Sequence, residues 1–123
     1  MDSTCDPAAV AYQLAETVRA LNTLTEKPAT FATVVDVRDV AEGLHLAVDQ
    51  LPTALRQLSA GLRLLEEQGA IRMDDGTDPL DGVSGALRAC LNGEVGLTVA
   101  RAALREATGS LARMGGVPER PVM

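Results

Sequence analysis

The sequence predicts an all-α protein, a helical bundle built on a long antiparallel helical hairpin with a shorter N-terminal helix. Apolar residues recur at alternating spacings of four and three through two long stretches, the pattern of helices that pack lengthwise against other helices. An Asp-Pro pair, which places a helix cap before proline at the first helical position, precedes two of the three segments. No stretch has the alternation of a convincing strand. We therefore expect helices at about 7–25, 33–68 and 79–114 and no β-sheet.

The N-terminal helix is predicted to begin at Pro7, with Asp6 as its N-cap. It should end near Thr25, because Pro28 disfavours helical geometry in the residue before it. At a rise of about 1.5 Å per residue this helix is roughly 28 Å long, about half the length of the hairpin. Its apolar stripe consists of Val10, Leu14, Val18, Leu21 and Leu24.

The second helix carries a heptad line that organises the chain. Thr33 and Asp36 resemble a capping box at its start, and Gly69 is placed to end it in a left-handed conformation. Pro52 lies in the middle, where a proline costs roughly 3 kcal/mol. Because the spacing keeps its phase across Pro52, we favour a kinked continuous helix over a break into two shorter helices. The heptad line consists of Val37, Ala41, Leu44, Val48, Leu51, Leu55, Leu58, Leu62 and Leu65.

The third helix follows a polar connector at 70–78 and repeats the same spacing. From Gly93 onward the line alternates small and large residues, which lets a neighbouring helix approach closely. The alternative is that Asn92 and Gly93 end a helix, since glycine costs about 1 kcal/mol in a helix interior. The apolar line consists of Val83, Leu87, Cys90, Gly93, Leu97, Ala100, Leu104, Ala107, Leu111 and Met114.

Composition limits the functions open to the chain. Its 123 residues are enough for one helical domain, 1–123, whose ends at 1–6 and 115–123 we expect to be flexible. The chain has few aromatic side chains, with one Phe, one Tyr and no Trp. It therefore has few side chains on which nucleic-acid bases could stack or that could line a small-molecule pocket. The net charge of −6 opposes binding to nucleic acid or to an anionic membrane.

Cysteine use and the absence of targeting patterns favour a cytoplasmic protein. Cys5 and Cys90 do not form a disulfide framework, and we expect both to be free thiols. The chain has neither the basic-then-apolar start of a signal peptide nor an apolar run long enough to span a membrane. The preference for Arg over Lys, together with abundant Ala, indicates a GC-rich bacterial genome.

One spacing has a precedent in metal binding. Glu42-x-x-His45 puts a carboxylate and an imidazole on the same side of a helix, as in di-iron carboxylate bundles. Because His45 is the single histidine and lies beside the heptad line, only a symmetric dimer completed by Glu16 or Glu94 would build such a site. The acidic run 74–78 lacks the alternating ligands and the terminal Glu of a calcium loop, so it predicts a turn before a helix cap. We therefore predict no catalytic residue and no cofactor.

We expect a non-enzymatic protein that acts by protein–protein interaction, as an adaptor, a regulatory subunit or an antitoxin-like partner. Because the N-terminal helix covers only about half of the hairpin, an uncovered leucine-rich strip favours a homodimer. The acidic connector is a candidate surface for a basic protein partner. The predicted interaction residues are Leu44, Val48, Leu51, Leu55, Leu58, Leu62, Leu97, Leu104, Asp74 and Asp75, and of these Leu55, Leu58 and Leu62 are expected to be buried.

Two alternatives come from other classes of protein. One is a metal-binding, ferritin-like homodimer that uses Glu42 and His45. The other is a secreted helical bundle that is the substrate of a specialised exporter. The size and the two-helix core are similar to those of small secreted hairpins of the WXG type, but the chain contains no Trp and so lacks their turn motif.

Overall fold

The computed structural model describes residues 6–115 as three α-helices and one short 3₁₀ turn. Helix α1 spans Pro7–Leu24, α2 spans Val34–Glu67 and α3 spans Pro79–Ala112, with the 3₁₀ turn at Pro28–Thr30. The structure is 81% helical with no strand in the described range, which confirms the all-α prediction. Apart from Asp6 and Gly115, the ends predicted to be flexible lie outside the described residues.

Both Asp-Pro helix starts form as predicted. The Asp6 carboxylate accepts a hydrogen bond from the Ala8 backbone N–H at 3.1 Å, and the Asp78 carboxylate accepts one from the Leu80 backbone N–H at 3.0 Å. Each bond satisfies one of the backbone donors that the first turn of a helix leaves unpaired. The starts of α1 and α3 are therefore fixed by local sequence.

The ends of α2 are also set by local chemistry. At its start the Asp36 carboxylate accepts a hydrogen bond from the Thr33 backbone N–H at 3.3 Å. At its end Gly69 has a φ of 68°, a left-handed conformation that glycine adopts without steric cost. The Ala70 N–H then donates to the Leu65 carbonyl at 2.9 Å, which closes the helix in a Schellman motif.

Both long helices are continuous through their weak points. α2 contains Pro52 in its interior and α3 contains Gly93, so the alternative of two broken helices is wrong. A Cβ added at Gly93 would lie 3.0 Å from Cδ1 of Leu55, one turn after Pro52. Glycine at this position therefore lets the two helices come close.

The register of the antiparallel hairpin is marked by two ion pairs between α2 and α3. Arg56 lies 3.4 Å from Glu94, and Asp49 lies 3.5 Å from Arg101. In both pairs the residue numbers add up to 150, and the contact between Leu55 and Gly93, whose numbers add up to 148, agrees with this register to within two residues. Each pair joins an exposed residue of α2 to a half-buried residue of α3, and ion pairs that remain open to solvent contribute about 1 kcal/mol or less. Their main use here is to define which positions face each other.

The hairpin buries very little. Within residues 6–115 only Pro52 and Val83 are buried, and Val83 is 6% exposed. The connector, predicted to be polar, folds two apolar side chains over this end of the hairpin, and a Cβ added at Gly82 would lie 2.8 Å from Cε of Met73. The small cavity of about 200 Å³ at this end is lined by Leu62, Ile71, Met73, Gly82, Val83 and Ala86.

α1 contributes almost nothing to the packing. None of its residues is buried, and α2 and α3 are the one pair of described elements in extensive contact. The expectation that the N-terminal helix covers half of the hairpin groove is therefore wrong. Its apolar stripe is instead exposed at Val10, Leu14, Val18 and Leu24.

Candidate interaction surface

α2 packs against α3 through a line of side chains that differs from the predicted heptad line at every second position. Ala41, Val48, Leu55 and Leu62 belong to both lines and are half-buried. At the alternate positions the structure turns the following residue toward α3, so His45, Pro52, Ser59 and Glu66 replace the predicted leucines. This contact line consists of Ala41, His45, Val48, Pro52, Leu55, Ser59, Leu62 and Glu66.

The displaced leucines form a second line beside the first, which we call the leucine ridge. It consists of Val37, Leu44, Leu51, Leu58 and Leu65, each seven residues from the next. One residue turns a helix by about 100°, so the ridge lies roughly 80° from the centre of the contact line. Leu51 is half-buried, whereas the other four are exposed, and Leu58 reaches 61% exposure. The prediction that Leu58 is buried is therefore wrong, and Leu55 and Leu62 are only half-buried.

α3 presents small residues on the same side of the hairpin. The large residues of its predicted apolar line are buried at Val83 and half-buried at Leu87, Leu97 and Leu104. The small-residue line consists of Ala86, Gly93, Ala100 and Ala107, again seven residues apart, and the last three also belong to the predicted line. Gly93 shows which side this is, because it lies against Leu55 of α2. The leucine ridge and the small-residue line together form an apolar face, and neither contains a charged residue.

Ridge and small residues lie level with each other. Opposite positions on α2 and α3 add up to 150, and the numbers of ridge and small residues add up to 151 in every case. These sums exceed the ion-pair sum by one residue and the Leu55–Gly93 sum by three, or by about 1.5 Å and about 4.5 Å along the helix. The level pairs are Leu44 with Ala107, Leu51 with Ala100, Leu58 with Gly93, and Leu65 with Ala86.

The opposite side of the hairpin is charged. Glu42, Asp49, Arg56 and Arg63 follow one another along α2 at intervals of seven residues. An open cleft of about 610 Å³ on this side is lined by Arg56, Ser59, Ala60, Arg63, Leu87, Arg88, Leu91 and Glu94. The sequence-based prediction missed this arginine cluster, although the heptad spacing of Arg56 and Arg63 would have found part of it.

The acidic connector is exposed, as its charge requires. Asp74 and Asp75 are both exposed in the turn between α2 and α3. The Thr77 hydroxyl donates to Oδ1 of Asp75 at 2.6 Å and the Thr77 backbone N–H donates to the same oxygen at 3.1 Å. These bonds favour the ionised form and hold the pKa of Asp75 below its ordinary value. The carboxylate of Asp75 therefore stabilises its own turn.

The sequence places His45 beside the predicted heptad line. In the structure His45 lies on the observed contact line, so it faces α3. Its Nε2 is buried and has no hydrogen-bond partner within the described part of the chain. No cluster of three or more His, Cys, Asp or Glu side chains comes together among residues 6–115.

The surface area shows how much of the molecule is uncovered. The chain exposes 9712 Å², whereas a compact protein of 12.8 kDa exposes roughly 6,300 Å².

Comparisons with known proteins give no family for the chain. Searches of protein-family models, of curated proteins and of solved structures all found no match. None of the helices formed by residues 6–115 is long and apolar enough to cross a membrane.

Proposed function

We propose that this protein is a non-enzymatic helical interaction module that acts by protein–protein association and self-associates as a homodimer. The observation that carries the proposal is a hairpin of two 34-residue helices in which Pro52 and Val83 are the only buried residues of the described range. Complete burial of one leucine contributes about 1.5–3 kcal/mol, and a stable domain needs many such residues. Association with another apolar surface supplies the burial that one copy lacks.

The partner-binding role takes the form of an adaptor, a regulatory subunit or an antitoxin-like protein. The exposed carboxylates of Asp74 and Asp75 support a basic protein as one class of partner, because surfaces of opposite charge steer association. The exposed stripe of α1 is a second surface available to a partner helix. The proposed location is the cytoplasm, which agrees with Cys90 being a free thiol.

Size exclusion coupled to light scattering tests the self-association. We expect a mass of twice 12.8 kDa at micromolar concentration. We also expect the helical circular dichroism to fall on dilution, because the stability of an obligate dimer depends on its concentration. A single-chain mass with undiminished helicity across the dilution series would contradict self-association.

A further inference from the structure

We propose that the apolar face is the homodimer interface, with each leucine of the ridge packed over a small residue of the second copy. This assignment rests on the proposed self-association and names the surface that performs it. The ridge residues of one copy would cover Ala86, Gly93, Ala100 and Ala107 of its partner.

The geometry of the hairpin makes this face self-complementary. A two-fold axis parallel to the helices places α2 of each copy over α3 of the other. Every side chain keeps its position along the helix axis. Because Leu58 is level with Gly93 in one chain, the partner's Leu58 comes to lie over Gly93. The same holds for Leu51 and Ala100. Four positions fit at once, each with a large residue above a small one.

The other way to bring the two faces together fits less well. A two-fold axis perpendicular to the helices sets α2 on α2 and α3 on α3. Ridge then meets ridge, and the small-residue lines face each other across a gap that no side chain fills. Unfilled apolar space is costly in a protein interior. Both axes make every neighbouring pair of helices antiparallel, as in an up-down-up-down four-helix bundle, so the fit of large residues to small ones decides between them.

The area of the face suits a second copy. From Val37 to Leu65 the ridge is roughly 42 Å long, and two helices with axes about 8–10 Å apart present a face roughly 20 Å wide. The product is roughly 800 Å² per copy, the usual contribution of each partner to a stable interface. α1, with 18 residues and a length of roughly 27 Å, is too short to cover it.

The charge distribution leads to the same face. The opposite side carries Glu42, Asp49, Arg56 and Arg63, whose burial in an interface would require desolvation of charged groups. The apolar face carries none. Association through the apolar face therefore leaves the charged side in water.

A matched pair of leucine variants in α2 tests the assignment. Leu58 on the ridge is 61% exposed, and Leu64, on the side of α2 that faces away from both α3 and the apolar face, is 54% exposed. We expect Leu58→Glu to raise the dimer dissociation constant at least about 100-fold, because it buries a charge in each half of the interface. Leu64→Glu should change it by less than about threefold, as a surface substitution does. Equal effects of the two variants would overturn the assignment.

Disulfide formation between two single-cysteine variants tests the predicted contacts without weakening the interface. Leu51→Cys and Ala100→Cys are each made in a chain that also carries Cys5→Ser and Cys90→Ala, and the two proteins are then mixed and oxidised. We expect a cross-linked dimer in the mixture but not in Leu51→Cys alone, because the two copies of α2 are diagonal in the bundle. A strong cross-link in Leu51→Cys alone would establish the perpendicular axis and overturn the assignment.

The outcomes separate this inference from the proposed function. A single-chain mass for the unmodified protein contradicts both. A dimer that survives Leu58→Glu and gives no cross-link in the mixture contradicts only the interface, and the self-association stands. If Leu58→Glu loses helicity as it dissociates, the cross-link in the mixture decides the interface.

Discussion

Val83→Ala tests whether the small packed end of the hairpin holds it together. Val83 is 6% exposed and lies in the cluster formed by Leu62, Met73 and Ala86. The substitution removes two methyl groups, which costs about 1.6 kcal/mol in transfer free energy. The residual cavity adds to that cost, so the expected loss is about 2–3 kcal/mol. For a domain stabilised by about 5–15 kcal/mol this is a large fraction.

Urea unfolding followed by far-UV circular dichroism measures the loss. With a slope of about 1–3 kcal/mol per molar urea, the midpoint should fall by roughly 1 M or more. The chain concentration is held fixed, because self-association couples stability to concentration. Val99→Ala in the same helix is the control, since Val99 is 66% exposed and its loss should stay within about 0.5 kcal/mol. Equal midpoints for the two variants would refute the view that Val83 anchors the core.

Three further expectations concern polar and backbone features. Pro52→Ala should raise the free energy of unfolding by about 1–2 kcal/mol in urea titrations, because the restored hydrogen bond outweighs the lost proline contact; a fall would contradict this. Thr77→Ala should return the pKa of Asp75 toward its ordinary value in an NMR titration. The stabilisation by ionised Asp75 is present above that ordinary pKa and is lost as the pH falls through the lowered one. His45→Leu should raise the thermal midpoint, since it removes a buried nitrogen without a partner; stoichiometric metal that disappears in this variant would instead favour the metal-binding alternative.

Helix bounds followed from local sequence because local contacts determine them. The Asp6 and Asp78 caps and the left-handed Gly69 depend on residues within one turn, and all three form as predicted. The continuity of α2 through Pro52 followed from the unbroken phase of the heptads. The short turn at Pro28–Thr30 was not predicted, since three residues carry no periodic pattern.

The side-chain contacts were less predictable, because a spacing of four and three does not specify which of two neighbouring lines faces a given partner. Leu58 belongs to the predicted heptad line, whereas Ser59 belongs to the observed contact line. A rotation of about 100° about the helix axis separates the two positions. Hydrophobicity favours Leu58, whereas the approach of α3 at Gly93 and the buried Pro52 select the line through Ser59. The packing of the connector was not predicted for a similar reason. Met73 is followed by acidic residues in the sequence, and only the fold brings its side chain against Gly82.

The leucine ridge, which was predicted to face α3 and does not, supports the proposed function. A helix that packs against one neighbour needs one apolar line, and the remaining positions are free to be polar. α2 has two such lines, and α3 occupies only the one through Val48 and Leu55. The second line, which includes Leu44 and Leu58, keeps its spacing of seven through the whole helix, unlike the scattered apolar residues of an ordinary surface. A ridge that is continuous over roughly 42 Å and has no facing helix among residues 6–115 is therefore the observation on which the proposed dimer interface rests.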